Sequence, residues 1–125
     1  DTVVTLNGQI LGKPTDAAHA LEILRSLQGV THQVVTGFNL TSRREGYSES
    51  LTRNTKVSFT TWPDSVLTAY IKTGEPLDKS GAYGIQSRGG FLVEKIQGSC
   101  SNVIGLPMQA CITELMRFQV IAPLQ

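Results

Sequence analysis

Three stretches of the chain carry residues whose chemistry could act together. Asp1-Thr2 stands directly ahead of the apolar, β-branched pair Val3-Val4. A carboxylate at the end of a strand can hold a divalent metal or take a proton from water, because the strand keeps it still. The same pattern arises where an aspartate merely flanks a strand. Gly12-Lys13-Pro14 follows the strong hairpin signal Asn7-Gly8, so the chain returns toward its start. Lys13 can then approach Asp1, or a phosphate bound beside it, with a solvent-facing lysine as the plain alternative. The third stretch, residues 75–86 (EPLDKSGAYGIQ), combines Gly81 and Gly84 with Asp78, Lys79 and Gln86. Its glycines permit close backbone approach to a ligand, and the paired charges and the amide can read a polar one.

The elements that must position these residues are legible from periodicity and punctuation. Residues 2–6 and 9–11 read as two strands joined at Asn7-Gly8, and Pro14 ends the second. Thr15 or Asp16 caps a helix to about Gln28, with Gly29 as its stop. Ala17, Ala20, Leu21, Leu24 and Leu27 form its apolar stripe, and His19 falls beside it as a packed or surface residue. Two β-rich stretches, 31–40 and 51–61, flank a polar segment, 41–50, which carries Arg43, Arg44 and Glu45 and reads as a solvated loop. Val57 and Phe59 alternate with Lys56 and Ser58, which suits a sheet with one buried face. Pro63 opens a helix through Lys72 with Val66, Leu67, Tyr70 and Ile71 on its core side, closed by Gly74. Residues 91–96 form another strand, and 102–107 lead into a last helix from about Pro107 to Phe118. The order ββαββα-loop-βα argues an α/β (α+β) domain with a mixed β-sheet flanked by helices, as one domain over residues 1–125.

Composition narrows the function classes. Eleven Lys+Arg stand against ten Asp+Glu, so charge gives no footprint for nucleic acid or an anionic membrane. No apolar run approaches the roughly 18 residues of a membrane span. Cys100 and Cys111, the two cysteines, have neither Cys-x-x-Cys nor zinc-finger spacing and read as buried thiols, with a disulfide as the alternative, which fits a reducing cytoplasm. Asn39-Leu40-Thr41 is a glycosylation sequon by accident of an apolar strand. No phosphate loop, dinucleotide fingerprint or Gly-x-Ser-x-Gly elbow occurs, and His32 reads as a structural strand residue.

Taken together, the motifs resemble the Maf family of nucleoside triphosphate pyrophosphatases. The matching runs are Asp1-Thr2-Val3-Val4, Gly8-Gln9-Ile10-Leu11-Gly12-Lys13-Pro14 and Thr31-His32-Gln33-Val34-Val35-Thr36-Gly37. They continue through residues 73–86, then Gly90-Phe91-Leu92-Val93-Glu94 and Asn102-Val103-Ile104-Gly105-Leu106-Pro107. The resemblance implies a Maf/inosine-triphosphatase-like fold and hydrolysis between the α- and β-phosphates of a nucleoside triphosphate. It implies Mg²⁺ or Mn²⁺ as cofactor and a homodimer. Asp1 matches the family's acidic proton acceptor close to the metal, and Lys13 its phosphate-side lysine. Thr2 and Gln86 match positions linked to base selectivity, and Asp78 and Lys79 fall in the substrate-binding loop. The Asp-Thr and Gly-Ala-Tyr-Gly-Ile-Gln forms look like the branch that prefers dTTP and UTP.

The chain also departs from the family. The Ser-x-Ser-Pro-Arg-Arg turn, which would supply phosphate-binding amides and an arginine, is not in the sequence. The chain, opening on Asp1, therefore reads as the C-terminal majority of such a domain, N-terminally truncated and with impaired activity. A catalytically inactive nucleotide-binding or dimerisation module of the same fold is the alternative. Ser87-Arg88 and Ser99-Cys100 replace a small apolar pair and an Asp-Tyr pair, and Arg88 is expected to border the pocket.

Overall fold

Asn7 and Gly8 both take positive φ, 51° and 80°, the geometry of a two-residue hairpin turn whose twist matches the strands it joins. That turn sets β1 (Thr2–Leu6) against β2 (Gln9–Leu11). A computed structural model of the chain describes residues 1–44, 46–86, 88–118 and 121, so the readings of Glu45 and Ser87 lie outside the described residues. Three further strands, β3 (Thr31–Ser42), β4 (Tyr47–Phe59) and β5 (Val93–Gln97), complete a sheet of order β2-β1-β3-β4-β5.

The α/β (α+β) class stands, but the expected mixed sheet is corrected: all four neighbouring pairs are antiparallel. Helix α1 (Ala17–Leu27) does carry the chain from β2 to β3 as a crossover between strands of like direction. β1 lies between those two strands, so no parallel pair forms. The pattern β-α-β implies a relative direction, and adjacency is a separate matter that the hairpin decides.

Register places Val4, Val34 and Thr55 in one row and His32 beside Val57 in the next, and all five side chains are buried. The opposite face carries Gln33, Asn54 and Lys56, exposed to water. Such one-sided burial is what an antiparallel sheet permits. Leu24, Leu27, Leu67 and Leu92, each fully buried, close the core over the apolar face.

Several boundaries move. The Asp16 side chain accepts from the His19 amide at 2.7 Å and so caps α1. The buried face of α1 is Ala20, Ile23, Leu24 and Leu27, while Ala17 is exposed. The polar stretch 41–50 is mostly strand rather than loop, with Ser42 paired to Tyr47. Its polar side chains bond across the pair, as Asn39 Nδ2 does to Ser50 Oγ at 2.9 Å, so polarity marks the wet face of a ladder. α2 (Asp64–Ile71) follows Pro63, and Arg25 of α1 grips Asp64 with its guanidinium fork. Phe91 and Leu92 belong to a 3-10 turn before β5, and the lead into the last helix is itself a short helix, α3 (Cys100–Ile104). α4 (Met108–Arg117) ends the described fold apart from a few residues. Cys100 is exposed and Cys111 half-buried, which corrects the expectation of buried thiols; both are unpaired. Among the described residues no helix is long and apolar enough to cross a membrane.

Candidate active site

The backbone of Asp1 extends β1 alongside β3. Its nitrogen donates to the Gly37 carbonyl at 2.8 Å, and its carbonyl accepts from the Gly37 amide at 2.9 Å. The Thr2 amide donates to Asp1 Oδ1 at 2.9 Å, which aims the carboxylate along the strand end. Thr2 turns its hydroxyl toward Thr36 Oγ1 at 2.7 Å and the Gly105 carbonyl at 3.2 Å. The hairpin delivers Lys13 to the same end of the sheet, where its ammonium stands 4.0 Å from Asp78 Oδ1. Both partners are largely exposed, so the pair contributes little to stability and is free to rearrange around a ligand.

The glycine-rich loop is docked on that hairpin. The Gly81 amide donates to the Gly12 carbonyl at 3.1 Å. Gly81 has φ +75°, and a Cβ there would stand 3.0 Å from both Val4 methyls, so only glycine lets the loop lie on β1. Downstream, Gly84 is held by the hydrogen bond that its backbone N–H donates to the Tyr70 hydroxyl at 3.1 Å. A Cβ on Gly89 would stand 2.5 Å from the Gly84 carbonyl oxygen and 2.4 Å from that hydroxyl. Glycine at 89 is therefore a requirement of the wall that presents Ile85 and Gln86.

These connections close a cleft of about 590 Å³ in which all six residues singled out from sequence meet: Asp1, Thr2, Lys13, Asp78, Lys79 and Gln86. Two carboxylates and two ammonium groups share the cleft with apolar Ile85, Val103 and Ile104. The sequence reading counted residues 102–107 among the family-like runs and as a lead into a helix, but did not place Val103, Ile104 and Gly105 in the wall of the site. Ser99 was its available signal, since its hydroxyl caps α3 by accepting from the Asn102 amide at 3.1 Å. Arg88 does not line this cleft. It lies in an adjoining hollow of about 470 Å³ with Thr73, Gly74 and Glu75, and Asp78 and Lys79 form the wall between the two.

Behind the cleft, burial controls the titratable groups. His32 is 1% exposed, and its Nε2 lies 2.8 Å from the Tyr83 hydroxyl. Desolvation lowers its pKa to about 4, which makes it a neutral core residue. Burial likewise raises Tyr70 to about 12 and pushes Tyr83 up. His32, Phe59 and Tyr83 pack edge to face at centroid distances of 4.8 to 5.5 Å, and this cluster backs the loop at Tyr83.

Among the described residues no group of three or more His, Cys, Asp or Glu side chains could cage a metal. The exposed carboxylate of Asp1 would suit a largely hydrated Mg²⁺, which needs only one or two carboxylates from the protein.

Comparison with known proteins finds a matching family and several similar proteins. The family model described as "Maf-like protein" matches residues 1–118. A dTTP/UTP pyrophosphatase of Oleidesulfovibrio alaskensis is 48% identical over 124 residues, which is 98% of this chain and 57% of that protein. Its counterpart in Salmonella typhimurium is 47% identical over 121 residues, 97% of this chain and 60% of that protein. One from Clostridium tetani is 46% identical over 111 residues, 86% of this chain and 56% of that protein. The chain thus spans somewhat more than half the length of these curated relatives.

Proposed function

This chain belongs to the Maf-like protein family, and we propose that it hydrolyses dTTP- and UTP-type nucleoside triphosphates to monophosphate and pyrophosphate. The observation that carries the reading is the meeting of Asp1, Lys13, Asp78 and Lys79 with Thr2 and Gln86 in one cleft. Its volume, about 590 Å³, suits a nucleotide-sized ligand. The names of the relatives supply the substrate class.

In this reading the two lysines neutralise the polyphosphate, whose dense negative charge otherwise repels any nucleophile. Asp1 takes a proton from the attacking water as its oxygen bonds to the α-phosphorus. The bond from that phosphorus to the bridging oxygen breaks, and pyrophosphate leaves with the electron pair. The proton then passes from Asp1 to solvent. A divalent cation, Mg²⁺ or Mn²⁺, held by Asp1 and the phosphates, would add further charge neutralisation. Gln86 offers a donor and an acceptor together to the edge of a uracil or thymine ring. Homodimerisation belongs to the same proposal. The exposed row Met108, Ile112 and Met116, four residues apart on α4, supports it. The unpaired cysteines support a reducing, cytoplasmic setting.

A second reading, a nucleotide-binding module without turnover, is favoured by one observation: no arginine among the described residues lines the cleft. Incubation with Mg²⁺ and a nucleotide panel, followed by a pyrophosphate assay, separates the two. Turnover on dTTP and UTP, abolished by EDTA, supports the enzyme. Binding with no turnover above a heat-killed control, even at high protein concentration, leaves the module.

A further inference from the structure

The glycine-rich loop has an anchor outside the cleft, at the end that carries Gln86. Tyr70 stands next to last on α2, is 3% exposed and does not line the cleft. Its ring packs edge to face on Phe91 at a centroid distance of 5.6 Å, which holds the hydroxyl in place. The Gly84 N–H donates to that hydroxyl at 3.1 Å. A backbone N–H can only donate, so the phenol oxygen is the acceptor in this bond. Gly84 lines the cleft itself, and so do the next two residues, Ile85 and Gln86. Burial above all, with the Glu75 carboxylate beside it, raises the Tyr70 pKa to about 12, so the group stays a neutral hydroxyl at neutral pH.

Backbone closes over this bond from the other side. A Cβ on the buried Gly89 would stand 2.4 Å from Tyr70 Oη, 2.5 Å from the Gly84 oxygen and 3.0 Å from the Gly84 nitrogen. Gly90 continues the contact, since its Cβ would stand 3.0 Å from the Ile85 carbonyl oxygen. Removing the hydroxyl would strand the part-buried Gly84 N–H against an aromatic edge, and a donor left unmet is costly. The peptide could recover a partner only by turning toward water, and Ile85 and Gln86 would turn with it. The other end of the loop has its own tie, from the Gly81 N–H to the Gly12 carbonyl at 3.1 Å.

We propose that Tyr70 is a positioning residue for the nucleoside, its hydroxyl holding the Gly84 N–H so that Ile85 and Gln86 stay on the cleft wall. This role rests on the nucleotide reading of the cleft, in which Gln86 meets the base while Lys13 and Lys79 meet the phosphates. Tyr70 touches neither part of the ligand and acts through the loop, at its nucleoside end alone.

Calorimetry with Mg²⁺ tests this by comparing a non-hydrolysable α,β-methylene analogue of UTP with inorganic tripolyphosphate, which has the phosphates and no nucleoside. Wild type is expected to bind the analogue more tightly. Tyr70→Phe should weaken the analogue about tenfold, the scale of one lost hydrogen bond, and leave tripolyphosphate within about twofold. Leu67→Ala empties a fully buried site on the same helix and keeps the hydroxyl. It should lower stability more than Tyr70→Phe does, with the ratio of the two affinities unchanged. An unchanged analogue affinity in Tyr70→Phe, or an equal loss of both ligands, overturns the proposal, as does a Leu67→Ala ratio that falls as far. Hydrogen exchange by NMR on the wild type checks the bond directly and needs no variant to fold. The Gly84 amide should be protected, and exchange at the rate of an unstructured peptide overturns the proposal. Wild type binding the analogue no better than tripolyphosphate overturns it while a polyphosphate site survives. Binding of neither removes the nucleotide reading and the proposal with it.

Discussion

Acid should destabilise this fold through His32. The ring is 1% exposed between Phe59 and Tyr83, and its Nδ1 finds no partner among the described residues. A protonated ring would need an acceptor for each N–H, and this pocket offers none to Nδ1. The pKa accordingly falls from 6.5 to about 4 in the folded state. Above pH 6.5 the ring is neutral in both states and stability is unaffected. Between pH 6.5 and 4 the unfolded chain binds a proton that the folded chain refuses, so stability falls as pH falls. Below pH 4 the loss is complete. A shift of that size corresponds to about 3 kcal/mol in full and about 2 kcal/mol by pH 5. Urea unfolding followed by the fluorescence of Trp62, the lone tryptophan, measures it. That indole packs against Phe91 at 5.5 Å and so reports on tertiary structure. His32→Gln keeps a polar group near the Tyr83 hydroxyl but does not titrate, so it serves as the reference. Wild type should lose about 2 kcal/mol more than the variant between pH 7.5 and 5.0. Parallel pH profiles for the two proteins would refute the reasoning, as would an NMR titration placing His32 near its ordinary value.

Three other perturbations follow from the same geometry. Asp1→Asn should lower kcat on dTTP or UTP at least about a hundredfold, because the amide accepts no proton from water; full turnover in steady-state assays would remove Asp1 from the chemistry. Gly89→Ala places a methyl 2.5 Å from the Gly84 oxygen, so both melting temperature and nucleotide affinity should fall. A cost of about 1–3 kcal/mol is expected from such overpacking, and calorimetry with and without nucleotide separates the two effects. Leu24→Ala empties a fully buried site on α1 and should cost about 2–5 kcal/mol in urea unfolding without changing relative substrate preference.

The local elements were legible because their causes are local. Asn7-Gly8 demands positive φ, Asp16 caps, Gly29 and Gly74 terminate, and Val57 and Phe59 alternate with polar neighbours; each effect acts within a few residues. The cleft's six sequence-derived residues were legible through resemblance together with the hairpin argument that brings Lys13 back toward Asp1. The long β3–β4 ladder was not, because residues 41–50 are polar for a reason that lies on another strand. Asn39 and Ser50 meet across the pair, and their partnership depends on the register of the ladder rather than on any hydrophobic pattern.

Sequence alone thus determined the order of the strands and longer helices, the turn chemistry and the charged and amide residue types that meet in the cleft. Tertiary structure alone decided which of them share a space. β1 inserts between β2 and β3, which turns an apparent parallel crossover into an antiparallel sheet. Asp78 and Lys79 form a wall that puts Arg88 outside the cleft, although it lies two residues from Gln86. Thr36, inconspicuous in a β-branched strand, finds partners for its buried hydroxyl only because Thr2 and Asn102 arrive beside it from 34 and 66 residues away. Propensity acts along the chain, whereas hydrogen-bond polarity and enclosure depend on groups that only folding brings within about 3 Å of each other.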